Sequence, residues 1–249
     1  MKKALTIIIC ILFIGIACVA VVKNYNDNKT ADYSDNNSTI ETTKPEYYNT
    51  DKIEIIDDNT AIVPDSNIKS MHEIVKYSDS CNYELTVNEV YYDNKIKDII
   101  KEKTINYESH LSSLCSDKKK SPYKEYIDEN GNLDGVNYTY MYVEITIKNM
   151  GESNNTITPL SHGIAAIENN KIILYNKSGI NAAFVTEIDD KGYLNYMVVV
   201  QMDKGEEIRC IAVYPIEVSR VDNMVLFKST GNGRAVFSNN IEYIRLKED

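Results

Sequence analysis

The stretch from Tyr138 to Gly151, YTYMYVEITIKNMG, restricts what this chain can fold into more than any other. Met141, Val143, Ile145 and Ile147 alternate without a break against Tyr140, Tyr142, Glu144, Thr146 and Lys148. A period of two turns the first set to a core and the second to a polar face. The Asn149-Met150-Gly151 that follows is turn chemistry, because Asn and Gly tolerate positive φ. The segment therefore predicts a long, half-buried antiparallel strand.

Weaker strand signals flank it. Ala61 to Val63, His72 to Tyr77, and Tyr83 to Tyr92 precede it. In the last of these the phase slips before Val90, which predicts a β-bulge. Asn155 to Leu160, Ile164 to Ile167 and Lys171 to Tyr175 joined by a tight Glu168-Asn169-Asn170 turn, Tyr193 to Gln201, Ile208 to Tyr214, Met224 to Phe227 and Ile241 to Leu246 follow. Between Lys95 and Ser116 the apolar spacing changes to that of a helix, with Ile96, Ile99 and Ile100 on one side and Leu111, Leu114 and Cys115 on another; Asp93-Asn94 supplies a candidate N-cap. Tyr126 to Leu133 reads as a hairpin around Asn130-Gly131. Many short strands with frequent turns predict a mainly β chain, an antiparallel β-sandwich carrying a short helical insert.

The ends read differently. Lys2 and Lys3 precede an uncharged run, Ala4 to Val22, that closes at Lys23. At about 1.5 Å per residue this run matches a hydrocarbon core of about 30 Å. It predicts an N-terminal transmembrane helix over residues 1–23, with the domain extracytoplasmic because the charges before it are basic. Two alternatives stay open: lipidation of Cys18 in Gly15-Ile16-Ala17-Cys18, and cleavage after Ala20 to give a secreted form. Residues 24–59 are polar and acidic with few apolar positions, so they predict a disordered linker, and 60–249 the folded domain.

A formal net charge of -10 argues against nucleic acid as a partner, since binding phosphates needs Lys and Arg to displace counterions. The order YELTVNEV, YMYVEITIKNMG, NNTITPL, MVVVQMDKGEEIRCIAVYPI, with turns at Asn149/Gly151 and Gly205/Glu206, resembles the immunoglobulin-like extracytoplasmic domains of unknown function in surface proteins and lipoproteins of Gram-positive bacteria. The resemblance covers about Tyr83 to Phe227 and implies an immunoglobulin-like sandwich with no agreed activity.

Groups that could do chemistry are scattered. The chain has 3 His and 5 Cys. Cys10 and Cys18 fall in the apolar run; Cys210 reads as a buried strand residue; Cys81 and Cys115 bracket the helical insert and form a candidate disulfide. Ser161-His162-Gly163 is no triad, because neighbours on an extended chain point to opposite faces. Asp128-x-Asn130-x-Asn132 has calcium-loop spacing, but Leu133 stands where Gly is needed. No metal, cofactor or catalytic set is expected. The sequence predicts a non-enzymatic surface interaction or accessory module, with a glycan- or peptide-binding sensor as the alternative and an exported hydrolase behind it. Tyr140 and Tyr142, in a chain with 19 Tyr, 4 Phe and no Trp, are the candidate binding residues on the polar face, facing a surface protein or a glycan.

Overall fold

The computed structural model describes residues 52–78, 82–116, 122–152, 155–158, 161–174, 180–192, 194, 199–228, 237 and 241–247. The apolar run with Cys18, the linker up to Asp51, and Cys81 lie outside them. Among the described residues no helix is long and apolar enough to cross a membrane.

The stretch Tyr138–Asn149 is a strand, β6, and it is the middle of a five-stranded antiparallel sheet. It pairs along its whole length with β13 (Glu207–Glu217) on one side and β5 (Tyr83–Asp93) on the other. Beyond these lie β11 (Phe184–Glu187) and β4 (Val75–Tyr77), giving the order β11-β13-β6-β5-β4. The expected bulge is present: the β5–β6 register shifts between Val87 and Glu89. The extra residue, Asn88, donates from Nδ2 to Thr146 Oγ1 at 2.8 Å, so its amide is used where its backbone leaves the ladder.

The larger sheet is built from β1 (Glu54–Asp57), β2 (Thr60–Ile62), β3 (Ile68–Lys69), β8 (His162–Glu168), β9 (Lys171–Ile173), β14 (Met224–Lys228) and β15 (Tyr243–Arg245), in the order β1-β2-β9-β8-β14-β15-β3. A short β10 (Ile180–Asn181) also pairs with β8. β3 runs parallel to β15; the other pairings are antiparallel. β7 (Asn155–Ile157) and β12 (Val200–Met202) make a separate two-stranded ribbon. Asn169 and Asn170 both take positive φ, 48° and 64°, and form the tight turn expected between β8 and β9.

The two large sheets share one apolar core. Leu85, Val87, Val143, Ile145 and Ile147 of the smaller sheet cluster with Ile164, Met224, Leu226 and Ile244 of the larger one. Burying each such side chain contributes about 1.5–3 kcal/mol, an upper figure because unfolded chains already hide some surface. This is a mainly β sandwich with few helices. Each sheet also hides much of its other face. Ala165, Ile167, Val225, Phe227 and Tyr243 form a second cluster with Phe237 and Ile241. Tyr138, Tyr140, Tyr142, Ile211 and Val213 form a third with Ile96, Ile100 and Leu114 of the insert and Leu133 of the hairpin that follows it.

That insert holds the expected helices, α1 (Asp98–Lys103) and α2 (Tyr107–Ser116). The N-cap of α1 is Lys97 rather than Asp93 or Asn94, and it makes no side-chain cap bond. Asp93 Oδ1 instead accepts the Lys95 N–H at 3.0 Å, turning the chain before the helix begins. Two boundaries also differ from expectation. The ordered sheet starts at Glu54 with β1, inside the segment read as linker, because Ala61 pairs back onto Ile55 across the Asp57–Thr60 turn. And β4 is only Val75–Tyr77, because His72 takes a φ of 73° and breaks the extended run.

Candidate functional site

The outer face of β6 divides in two. Toward Tyr138 it lies under the insert. Tyr140 and Tyr142 are both 0% exposed. Tyr140 donates its hydroxyl to the Gly131 carbonyl at 2.5 Å, and Tyr142 donates to the Lys95 carbonyl at 2.7 Å while accepting the Lys97 N–H at 3.2 Å. Tyr91 stacks on Tyr142 with centroids 4.9 Å apart, and the Lys97 ammonium sits 3.8 Å above the Tyr91 ring. Burial pushes both hydroxyls, Tyr140 and Tyr142, well above the usual phenol range, so they are neutral donors. The expectation that they present a binding face is therefore corrected. They are the floor on which the helices rest, and their polar tips fasten the insert's backbone.

Toward Asn149 the same face is open and charged. Lys76 of β4, Glu84 of β5, Lys148 of β6 and Glu207 of β13 stand opposite one another in sequence across the sheet, alternating in sign. Lys76 Nζ lies 3.3 Å from Glu84 Oε1. One row further in, Arg209 binds Asp189 at 2.9 Å and reaches Glu144 at 3.4 Å. These pairs are exposed and contribute little stability, about 0–1 kcal/mol each.

At one end of the sandwich an aromatic cluster joins the sheets. His162 is 0% exposed; its Nε2 lies 3.0 Å from the Tyr83 hydroxyl, and its carbonyl accepts the Tyr214 hydroxyl at 3.1 Å. The Tyr77 and Tyr83 rings pack 5.7 Å and 5.9 Å from its ring. Lys228, opposite His162 in the ladder, points its ammonium toward both tyrosine rings. The adjacent Ser161 turns away and donates to the Thr158 carbonyl at 2.7 Å, so no serine–histidine pair forms.

The remaining candidates resolve as architecture. Cys210 is buried in β13 at 0% exposure. Cys115 is a half-buried thiol 3.7 Å from the Asp128 carbonyl; the expected partner, Cys81, is outside the described residues. Asp128 folds its carboxylate onto its own loop, accepting from Asn130 N, Asn132 N and Asn132 Nδ2 at 2.9, 2.8 and 3.0 Å. That leaves a hairpin, with Ile127 bridged to Leu133, where a calcium loop would turn its oxygens inward. Among the described residues no group of three or more His, Cys, Asp and Glu could hold a metal.

Among the described residues a groove of about 540 Å³ lies by β3 and β4, end strands of the two sheets, lined by Asn67, Lys69 and Glu242 on one bank and Glu73, Ile74 and Lys76 on the other. Its size falls in the ligand-pocket range of about 300–1,000 Å³, although its lining is mostly polar. Sequence reading missed it, since its lining, residues of the stretch 66–78 together with Glu242, is mostly polar and carries no periodic signal.

No family model matches the sequence, and no curated relative matches it. Among solved structures the chain is similar to the yjhA protein from Bacillus subtilis, at 13% identity and a TM-score of 0.38, covering 72% of this chain and 99% of that one. It is also similar to an uncharacterized β-sandwich protein from Clostridium difficile 630, at 13% identity and a TM-score of 0.37, covering 83% of this chain and 100% of that one. At these TM-scores neither likeness carries an inference.

Proposed function

We propose that this chain is a membrane-anchored extracytoplasmic interaction or accessory module, non-enzymatic, with an immunoglobulin-like sandwich as its domain. The observation that carries this is how the reactive side chains are used. The hydroxyls of Tyr140, Tyr142 and Tyr214 each donate to a backbone carbonyl, the His162 ring lies against Tyr83, and the Cys210 thiol is in the core. Acid–base or nucleophilic chemistry needs such groups converging on an accessible point. The flanking of Ala4 to Val22 by Lys2, Lys3 and Lys23 supports the anchor. The groove beside Lys76 favours peptide over glycan as the second reading, because the tyrosine platform a sugar would stack on is covered.

The test is topological. Full-length chain is expressed in a Gram-positive host, cells are fractionated, and protoplasts are treated with external protease. The expected result is a membrane-bound chain of full length whose domain is digested from outside, unchanged in length by Cys18→Ala. A shorter chain whose processing stops in Cys18→Ala replaces the anchor with a lipoprotein. A soluble, protease-protected cytosolic chain overturns the proposal.

A further inference from the structure

β4 ends the smaller sheet, and among the described residues no strand pairs with its outer edge. An open edge is a template for another strand. Three features make this edge specific. A groove of about 540 Å³ lies beside it, lined by Ile74 and Lys76. Ile74 stands at its lip, 58% exposed. And the charge ladder Glu207, Lys148, Glu84, Lys76 stops at β4 on a lysine whose side chain is 76% exposed.

Lys76 is the exposed residue of β4, between buried Val75 and Tyr77, and Ile74 is exposed just before the strand begins. A strand added beside β4 would set two of its own residues, also two apart, opposite them. Cross-strand pairs are favourable when apolar meets apolar and opposite charges meet, and unfavourable for like charges. A lysine on so short an edge strand discourages indiscriminate pairing. Here it also selects, because the next position in the ladder calls for a carboxylate. The chain's net charge of -10 opposes an acidic partner at long range, but screening over about 8 Å at physiological ionic strength leaves the decision to the contact.

We infer that the groove between β3 and β4 takes an extended peptide of a partner protein, which adds a strand to β4 and places an acidic residue beside Lys76 and, two positions away, an apolar residue over Ile74. This rests on the interaction-module reading and names the class of partner. On the other bank Lys69 has two partners, Glu242 at 3.4 Å and the Ser66 carbonyl at 3.0 Å, whereas Lys76 has Glu84 at 3.3 Å and a far more exposed side chain.

A displayed library of random nonapeptides is selected on the full chain in lipid nanodiscs, and the winners are synthesised. The expected consensus has an acidic and an apolar residue two positions apart. Lys76→Glu is expected to weaken the winning peptide about tenfold, and replacing that peptide's acidic residue by Lys to restore binding to Lys76→Glu. Lys76 is so exposed that the variant keeps its fold, checked by an unchanged melting temperature. Bound peptide is expected to slow hydrogen exchange at residues 75–77. The inference is overturned if no such consensus emerges, if Lys76→Glu leaves preference unchanged, or if protection maps to another edge such as β1. It is overturned also if a peptide of residues 27–44 of this chain competes fully at the same site, since the occupant would then be the chain itself. None of these outcomes touches the fractionation result, so membrane topology stands or falls separately.

Discussion

Tyr142→Ala separates a structural tyrosine from a binding one by a wide margin. Tyr142 is 0% exposed, stacked on Tyr91 at 4.9 Å, and its hydroxyl ties Lys95 O and Lys97 N at 2.7 and 3.2 Å. Truncating a large buried aromatic to Ala costs about 3–5 kcal/mol, by lost transfer energy and the cavity left behind. In a domain of this size each kcal/mol moves the melting temperature by about 2–4 °C, so a drop of about 6–20 °C is expected. Tyr142→Phe keeps the ring and removes the two hydrogen bonds, so about 1–3 kcal/mol is expected from it. A tyrosine open to solvent would cost within about 0.5 kcal/mol either way. Thermal unfolding by circular dichroism and urea titration read both variants, with an unchanged urea slope showing that the same surface unfolds. A melting temperature within about 2 °C of the parent for Tyr142→Ala would refute the buried-floor account. The Tyr140→Ala double variant is expected to deviate from additivity, since the two rings lie 6.4 Å apart and share one cavity.

Gly131 has a φ of 82°, and an added Cβ would collide with Leu111 and lie 2.8 Å from Ile96 Cδ1; Gly131→Ala is expected to cost about 1–3 kcal/mol and speed hydrogen exchange in the insert before the β6–β13 ladder, whereas unchanged exchange there would show the hairpin does not seat the helices. Burial pushes the Cys210 thiol up, with Glu187 and Asp189 adding to it, so mass-mapped alkylation at pH 7–8 should leave Cys210 unmodified until urea unfolds the domain; labelling in the native state would contradict its place in the core. Burial raises the carboxyls of Asp128 and Asp134, but the N–H bonds each accepts outweigh it and hold both below the usual Asp value. Their stabilisation is thus complete above the unfolded value of about 3.9 and lost as pH falls through the lower folded value. The melting-temperature advantage of the parent over Asp128→Ala/Asp134→Ala should shrink on acidification below pH 4, and one that grows would reverse the assignment.

Local periodicity carried much of the sandwich. The alternation of β6, the phase slip at Asn88, the Asn169-Asn170 turn and the helical spacing after Lys95 are all short-range signals, and each corresponds to an observed element. What failed was pairing that residue types do not announce. Ile53, Ile55 and Ile56 sit in acid-rich text that reads as linker, and it is the hairpin pairing of Glu54, Ile55 and Asp57 with Ile62, Ala61 and Thr60 that makes β1 a strand. The groove is mostly a polar local stretch, residues 66–78, to which the parallel pairing of β3 with β15 adds Glu242 beside Lys69.

The tyrosine face shows where a period of two stops informing. It separates two sides of a strand without saying what covers each, and β6 is covered on both toward Tyr138 and on one toward Asn149. The residue types along the outer side did hold the difference. Lys148, Thr146 and Glu144, which water or salt bridges can satisfy, are half-exposed, while Tyr142, Tyr140 and Tyr138 are buried. A phenol can be buried if its single polar atom finds a partner, and a carboxylate or ammonium rarely can. The change from charged to phenolic after Glu144 therefore marks where the solvated sheet ends and the insert begins. With that boundary drawn, binding has to be sought on the charged half and its free edge, where Lys76 ends the ladder, and not beneath the helices.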